Sequence, residues 1–551
     1  MKKVMLKVLV GIMLVAMVLS ACSPAAPAAP AAPSSTDAPQ APAPADATQA
    51  PAAPAPATDA PAAPAVDTNR VVNVAYPQIC KHFDNTANFG IPEQGCLDQV
   101  YDGLLTKDFD GTLHPGLASE WKVSEDAATY DFKLREDVKW SDGQPFTAED
   151  VKASFDYYAS QPAVSWFYAD VIKETNVIDP YNVQIVLHKP NVPFLRTMGQ
   201  DQYGFIMAKH ILEKYGDQVG RTMESVVGTG PYVLTDWKTD TSVTFKAKED
   251  YWREPAEVKN LVFHRIPDMN AAVVALQTGE LDVYYNPVKG TAYETLKAAP
   301  NVKIEEFVSA RNEGVFMYNP SGTFSDVRMR KAVAYAVSKE DMITVAAEGL
   351  GSPIQYPGDI GPRMAGNPDK VPSITYNQDL DKARALVKEA GMEGAEVVVK
   401  SYNTEPYATM GTYLQNVLTQ IGLNAKVEQM ERATFLDAME KGEVEILPLA
   451  WVGSMYDIDE VLNTALYSKN AGTSANYSFY IDEEMDRLVD ESRAVTNQEE
   501  RLALESQIIE KFMAEVPFVS TYAVTYAIPH SAELTMDNPQ SLSGYLLKWA
   551  K

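Results

Sequence analysis

Between Ser23 and about Asp67 the chain is almost entirely Ala and Pro, with scattered Ser, Thr, Asp and Gln. That tract decides where folding can begin. It has few large apolar side chains to bury, so it cannot offset the conformational entropy that folding would cost. Its Pro content biases it toward extended polyproline II, which rises about 3.1 Å per residue and makes a semi-rigid spacer. Residues 23–70 are therefore expected to be a linker, whose forty-odd Ala/Pro-rich residues would reach on the order of 130–140 Å when fully extended. Everything able to fold lies from about Val71 onward.

Ahead of the tract, Lys2, Lys3 and Lys7 form a basic head, and Val8 to Leu19 form an apolar run. That is the build of a secretory signal, too short and wrongly flanked to span a membrane. The run ends in Leu19-Ser20-Ala21-Cys22, which resembles the lipobox of bacterial lipoproteins. The resemblance implies that residues 1–22 are a lipoprotein signal peptide with Cys22 lipidated; the alternative is an ordinary cleaved signal with an incidental Cys. One acyl chain gives only marginal membrane binding, whereas two or three hold firmly. The expected location is extracytoplasmic, at the outer face of the cell membrane or in the periplasm, with the lipid as the only membrane contact. No second span of transmembrane length follows.

Roughly 480 residues remain from Val71, too many for one core and enough for two or three domains. A net charge of −27 argues against nucleic acid and against an electrostatic grip on anionic lipid. With Cys22 lipidated, Cys80 and Cys96 are left as a pair in an oxidising compartment, and a disulfide between them would contribute about 3 kcal/mol. The alternative is two buried thiols. The six His are scattered, without zinc-site spacing, and Asp457-x-Asp459-Glu460 lacks the other ligands of a calcium loop. Neither metal nor cofactor is expected.

Strand and helix signals interleave. Val71 to Val74 reads as a strand. Alternation at Tyr130, Phe132 and Leu134, at Val183, Ile185 and Leu187, and at Val243, Phe245 and Ala247 predicts half-buried strands. Thr147 to Asp150 fits a capping box, followed by Val151, Phe155 and Tyr158 on one helix face. Ser338-x-x-Asp341 and Thr434-x-x-Asp437 predict two further helix starts. Gly391, Gly422 and Gly442 fit left-handed C-caps. Helical spacing at Leu380, Ala383, Leu386, Val387 and Ala390, and at Leu414, Val417, Leu418 and Ile421, predicts core-packed helices. The mixture is that of an α/β protein with more than one sheet.

From Tyr101 to Tyr158 the chain reads YDGLLTKDFDGTLHPGLASEWKVSEDAATYDFKLREDVKWSDGQPFTAEDVKASFDYY. Later come Gly228-Thr229-Gly230-Pro231-Tyr232, Asp250-Tyr251-Trp252, Ala275 to Asp282, Asp326 to Ala332, a Leu414 to Leu423 stretch ending QIGL, and Trp451 leading to Asp457. Together these resemble the family 5 extracellular solute-binding proteins of ABC importers, the oligopeptide and dipeptide receptors among them. The resemblance implies a two-lobed periplasmic-binding-protein-like fold, class II type, with an additional domain on the first lobe. Domain I would comprise residues 71–109, 224–310 and 518–551, domain II residues 110–223, and domain III residues 311–517. A monomer would close its lobes on a small-molecule ligand, peptide or sugar-like, and dock on an ABC transporter permease.

Most of the shared motifs read as scaffold: Asp142-Gly143 as a turn, the Thr147 box as a helix start, Gly228 to Pro231 as a tight turn near the crossover between lobes. No Gly-Lys-Ser/Thr follows that turn, which excludes a phosphate loop. Arg328 and Arg330 read as solvated or salt-bridged helix residues. The resemblance implies that the loop carrying Trp451, Ser454, Tyr456, Asp457 and Asp459 lines the cleft. Peptide receptors of the family hold an Asp three residues after the Trp to pair with the peptide's ammonium; here that position is Ser454. A buried ammonium left unpaired costs several kcal/mol, so Asp457 or Asp459 would have to take the role, or the ligand lacks a free amine. Further ligand-binding candidates are Tyr402, Asn403 and Thr404, after the strand Val397 to Val399, and Phe83, Asp84 and Asn85, after the first strand. Arg432 and Tyr356 are outlying ones.

A secreted hydrolase is the rival from another class, but the chain has no G-x-S-x-G and no H-E-x-x-H. The expected activity is capture and delivery of an oligopeptide, or of an oligosaccharide or conjugate, rather than turnover.

Overall fold

The computed structural model describes residues 67–550, apart from 87–90, 109–110, 200–203, 361–371, 453–456, 473–474 and 542. The leader, Cys22 and most of the Ala/Pro tract lie outside the described residues, as do Ser454 and Tyr456. Ala65–Lys551 forms one unit.

Its backbone is an eleven-stranded mixed sheet. Along the main path the order is Asn424–Met430, Glu396–Tyr402, Ile446–Val452, Val302–Met317, Phe518–Ser531, Val283–Tyr284, Val71–Tyr76, Asn260–Arg265, Ser242–Ala247 and Tyr232–Lys238. The eleventh strand, Gly351–Pro353, pairs with Phe518–Ser531 off that path. Two long antiparallel strands, Val302–Met317 and Phe518–Ser531, run through the middle of the sheet. Their register breaks between Val308 and Asn312 and again between Glu313 and Gly314. A bulge bends a strand and increases its twist, and the hydrophobic core divides at this place. One core gathers Val72 to Val283 with Phe307 and Ile528 to Trp549. The other gathers Ala310 to Ala523. A third, smaller cluster, Ala272 to Leu296 with Ala75, Val302 and Ala527, lies on the same side of the bulge as the first. Cores on either side of the bulge, joined by two continuous strands, make a two-lobed molecule with its bend there.

The first core includes a separate four-stranded antiparallel sheet, ordered Ala118–Val123, Thr129–Leu134, Asn182–Leu187 and Ile172–Asp179. Tyr130, Phe132, Leu134, Val183, Ile185 and Leu187 all point inward, as period-two alternation requires. The helix Ala148–Ser160 starts at the Thr147 capping box and buries Val151, Phe155 and Tyr158. Cys80 and Cys96 are bonded, with Cα atoms 6.3 Å apart.

The shared motifs turn out to touch one another. Asp102 accepts hydrogen bonds from Tyr251 Oη at 2.9 Å and from Trp252 Nε1 at 2.8 Å, so the YDGL and DYW segments form one buried junction. The Gly228 to Pro231 turn packs in the first core, against the end of the helix Ile91–Val100, rather than on the strands that join the cores. A Cβ on Gly228 would sit 1.9 Å from Val100 O, so the backbones approach too closely for any side chain.

Two local expectations are corrected. Arg330 is neither solvated nor salt-bridged: it is buried and donates to the carbonyls of Glu515, Val516, Phe324 and Ser325. Thr434 does not open a helix, because the helix Arg432–Glu440 starts after Glu431 and Thr434 lies in its first turn. Arg328 does pair with Asp326 at the surface, Ser338 caps its helix by accepting from Asp341 N, and Gly391, Gly422 and Gly442 have φ of 70°, 96° and 70°.

Candidate ligand cleft

Trp451 is the last residue but one of the strand Ile446–Val452, directly opposite Asn312 of the long strand Val302–Met317. Its indole is 5 % exposed and donates to Thr464 Oγ1 at 3.1 Å, while Thr464 donates to Glu460 O. The ring is thus fixed beside the bulge where the cores part.

Asp457 is a buried structural carboxylate in this geometry. It caps the short helix Ile458–Val461 by accepting from Asp459 N at 3.0 Å. It also receives Arg501 through Nη1 at 3.2 Å and Nη2 at 2.5 Å, and lies 3.4 Å from Arg196 Nε. Arg501 continues to Glu505 at 2.9 Å, and Asp459 pairs with Arg493 at 3.1 Å. Burial, with Asp457 and Asp459 adding repulsion, raises the Glu505 carboxyl to about 9 against the pull of Arg501. Burial likewise raises Asp459 against the pull of Arg493. Arg196 belongs to the helix Phe194–Met198 in the first core, and Val192 N donates to Arg493 O at 2.9 Å. This ionic network therefore joins the two cores.

Tyr402 ends the strand Glu396–Tyr402, edge-on to Tyr407 at 5.0 Å and tilted on Phe435 at 4.4 Å. Asn403 and Thr404 are exposed, and Asn403 Nδ2 donates to Glu431 at 2.8 Å. Phe83, Asp84 and Asn85 are buried. Phe83 packs edge-on to Trp237, and Asp84 accepts from Thr86 and faces Arg221 at 3.6 Å. Tyr356 is buried and Arg432 exposed. The structure thus gathers Tyr402 to Thr404 and the Trp451 strand in the second core and leaves Phe83 to Asn85 in the first.

Sequence reasoning passed over Arg311 and Glu313, a pair that meets Tyr407, the ring packed edge-on to Tyr402. Arg311 donates from Nε to Glu313 Oε1 at 2.9 Å and from Nη2 to Tyr407 Oη at 2.8 Å. Burial pulls the guanidinium down, but Glu313 and the neighbouring tyrosines outweigh it and hold Arg311 above its usual value. Burial raises the Glu313 carboxyl against the pull of Arg311. No local signal set them apart, because the same strand also carries Lys303, Glu305, Glu306, Ser309 and Asn312; only the fold shows that Glu313 is buried and needs its partner.

Comparison with known proteins agrees with this architecture. The profile of "Bacterial extracellular solute-binding proteins, family 5 Middle" matches residues 112–473. The dipeptide-binding protein of Escherichia coli K12 is 30% identical over 428 residues, which is 71% of this chain and 77% of that one. The glutathione-binding protein GsiB of Escherichia coli K12 is 28% identical, covering 80% and 86%. Among solved structures, HbpA2 from Haemophilus parasuis superimposes with a TM-score of 0.79 at 23% identity, covering 88% of this chain and all (100%) of that one. DppA from Helicobacter pylori, in complex with the peptide STSA, gives 0.72 at 24%, covering 88% and 98%; these two show the fold. With the sequence profile spanning most of both cores, the chain belongs to the family 5 bacterial extracellular solute-binding proteins.

Proposed function

We propose that this protein captures an oligopeptide between its two lobes and hands it, chemically unchanged, to an ABC transporter permease in the membrane. The observation that carries the reading is the pair of long strands that pass from one core to the other and break register between them. Such a joint lets two rigid bodies close on a solute, and a ligand touching both shifts the population toward the closed form. The peptide class is supported by relatives named for dipeptides and glutathione and by a structural neighbour holding a tetrapeptide. In this reading residues 71–109, 224–310 and 518–551 are the first lobe, 110–223 its added domain and 311–517 the second lobe. The cleft is lined by Trp451, Ser454 and Tyr456 with Tyr402 to Thr404. Cys22 carries the lipid that moors a monomer outside the cell, and the Ala/Pro tract is its leash. A second reading, an oligosaccharide or conjugate ligand, is favoured by one feature, the neutral Ser454 where an ammonium would need a carboxylate.

The test is thermal-shift screening of the secreted chain against peptide and oligosaccharide libraries. A ligand at a hundred times its dissociation constant stabilises by about 2.7 kcal/mol, and mass spectrometry should recover it unaltered. A chain that no peptide stabilises, or that returns a cleaved product, contradicts the proposal.

A further inference from the structure

We propose that Arg311, together with the hydroxyl of Tyr407, receives an anionic group of the ligand, a carboxylate, at the bend between the two lobes. This rests on the solute-binding reading above and names the chemistry the site selects.

The guanidinium's two edges decide what it can still hold. An Arg presents five N–H donors in a planar fork with two edges, each matching a carboxylate. Glu313 occupies the edge formed by Nε and Nη2, both 2.9 Å from Oε1. The remaining Nη2 hydrogen goes to Tyr407 Oη. Among the described residues, no acceptor stands within hydrogen-bond reach of Nη1. Tyr407 Oη already accepts from Arg311 and faces the Ala450 backbone amide, so its own O–H is left to donate. Both donors belong to one hydrogen-bonded pair, and among the described residues neither has a protein acceptor.

Exposure points the same way. The Arg311 side chain is 30 % exposed, whereas that of Glu313 beneath it is 1 % exposed. Glu313 is thus a buried support that fixes the guanidinium in place, and the open face belongs to the cation. The nearby carboxylates offer no competing site for a cationic ligand group: Asp457 is held by Arg501 and Arg196, Asp459 by Arg493 and Glu505 by Arg501. Position adds the last point. Arg311 lies within the bulge between Val308 and Gly314, opposite Val452, and Tyr407 comes from the second core. A group anchored there sits where the lobes pivot.

The experiment is isothermal titration of the secreted chain with matched acid and amide pairs: di- to tetrapeptides with free or amidated C-termini, and non-peptide dicarboxylic acids with their diamides. The expected result is at least tenfold tighter binding of the acid. Arg311→Gln should abolish that preference, Arg311→Lys should retain part of it, and Tyr407→Phe should reduce it less. If Arg311→Gln misfolds because Glu313 loses its partner, Arg311→Gln/Glu313→Gln keeps the buried pair neutral and carries the same test. Equal affinity for acid and amide, a preference that survives the variants, or binding by neither set overturns the inference. Acid-selective binding confined to the non-peptide set supports it while contradicting the oligopeptide reading.

Discussion

Replacing Asp457 by Ala separates two roles that its position allows. The structure gives it a framework role: no part of its side chain is exposed (0%), and that of Arg501 is only 10% exposed. The substitution removes the acceptor that caps Ile458–Val461, which costs about 1 kcal/mol. It also leaves Arg501 buried with Glu505 as its remaining partner, and breaking a buried ion pair from one side costs about 3–5 kcal/mol. The sum is about 4–6 kcal/mol. Unfolding entropy of about 2.1 cal/mol/K per residue over roughly 480 residues makes about 1 kcal/mol per kelvin. The melting temperature of the ligand-free protein should therefore fall by about 4–6 °C.

Two companion variants sharpen the assay. Asp457→Asn keeps an acceptor for the cap, so it should lose about 1 kcal/mol less than Asp457→Ala. Arg501→Met should be destabilising alone, yet the double variant with Asp457→Ala should lose clearly less than the sum, since the two side chains act as one pair. The melt is measured without ligand because a residue that serves only the ligand leaves no mark on the empty protein. If Asp457→Ala abolishes solute binding while the ligand-free melting temperature stays within about 1 °C, the framework argument is refuted.

Three further outcomes follow from other parts of the fold. Glu505→Gln should become more stabilising as pH rises: the wild-type carboxyl holds its proton to about 9 when folded against the usual 4.5, so wild-type stability falls with pH across that window while a Gln cannot ionise. Thermal melts at pH 5 and pH 8.5 that shift equally would contradict this. Converting Cys80 and Cys96 together to Ala opens a loop of sequence separation 16 and should lower stability by about 3 kcal/mol in urea titration; a loss under 1 kcal/mol would show that the loop is held by packing alone. Gly228→Ala places a methyl 1.9 Å from Val100 O, so it should prevent soluble expression, whereas Gly143→Ala, with open space at its Cβ, should cost only about 1 kcal/mol at its positive φ.

How much of this was legible in the sequence depended on the range of the interaction. Alternation at Tyr130, Phe132 and Leu134, and the capping box at Thr147, are written within a few residues, and they read through directly. Thr434 misled because the same Thr-x-x-Asp spacing fits inside a first helical turn as well as at its start. Arg330 misled because its partners are carbonyls from segments as distant as Val516, and carbonyls leave no trace in sequence. Asp457 and Asp459 looked like available acids for a similar reason: the arginines that hold them, Arg501 and Arg493, arrive on two later helices, far along the chain.

The motifs shared most visibly, YDGL, DYW and the Gly228 to Pro231 turn, meet one another in the first core, at Asp102 with Tyr251 and Trp252 and at Val100 with Gly228. They fix the framework. Glu313 is a carboxylate buried beneath Arg311, and the pair stands where two continuous strands change cores. Burying a charged pair departs from what packing alone would favour, and departures of that kind concentrate at functional sites. On the inference drawn above, that buried pair at the bend, more than the motifs that announce the family, selects what is bound.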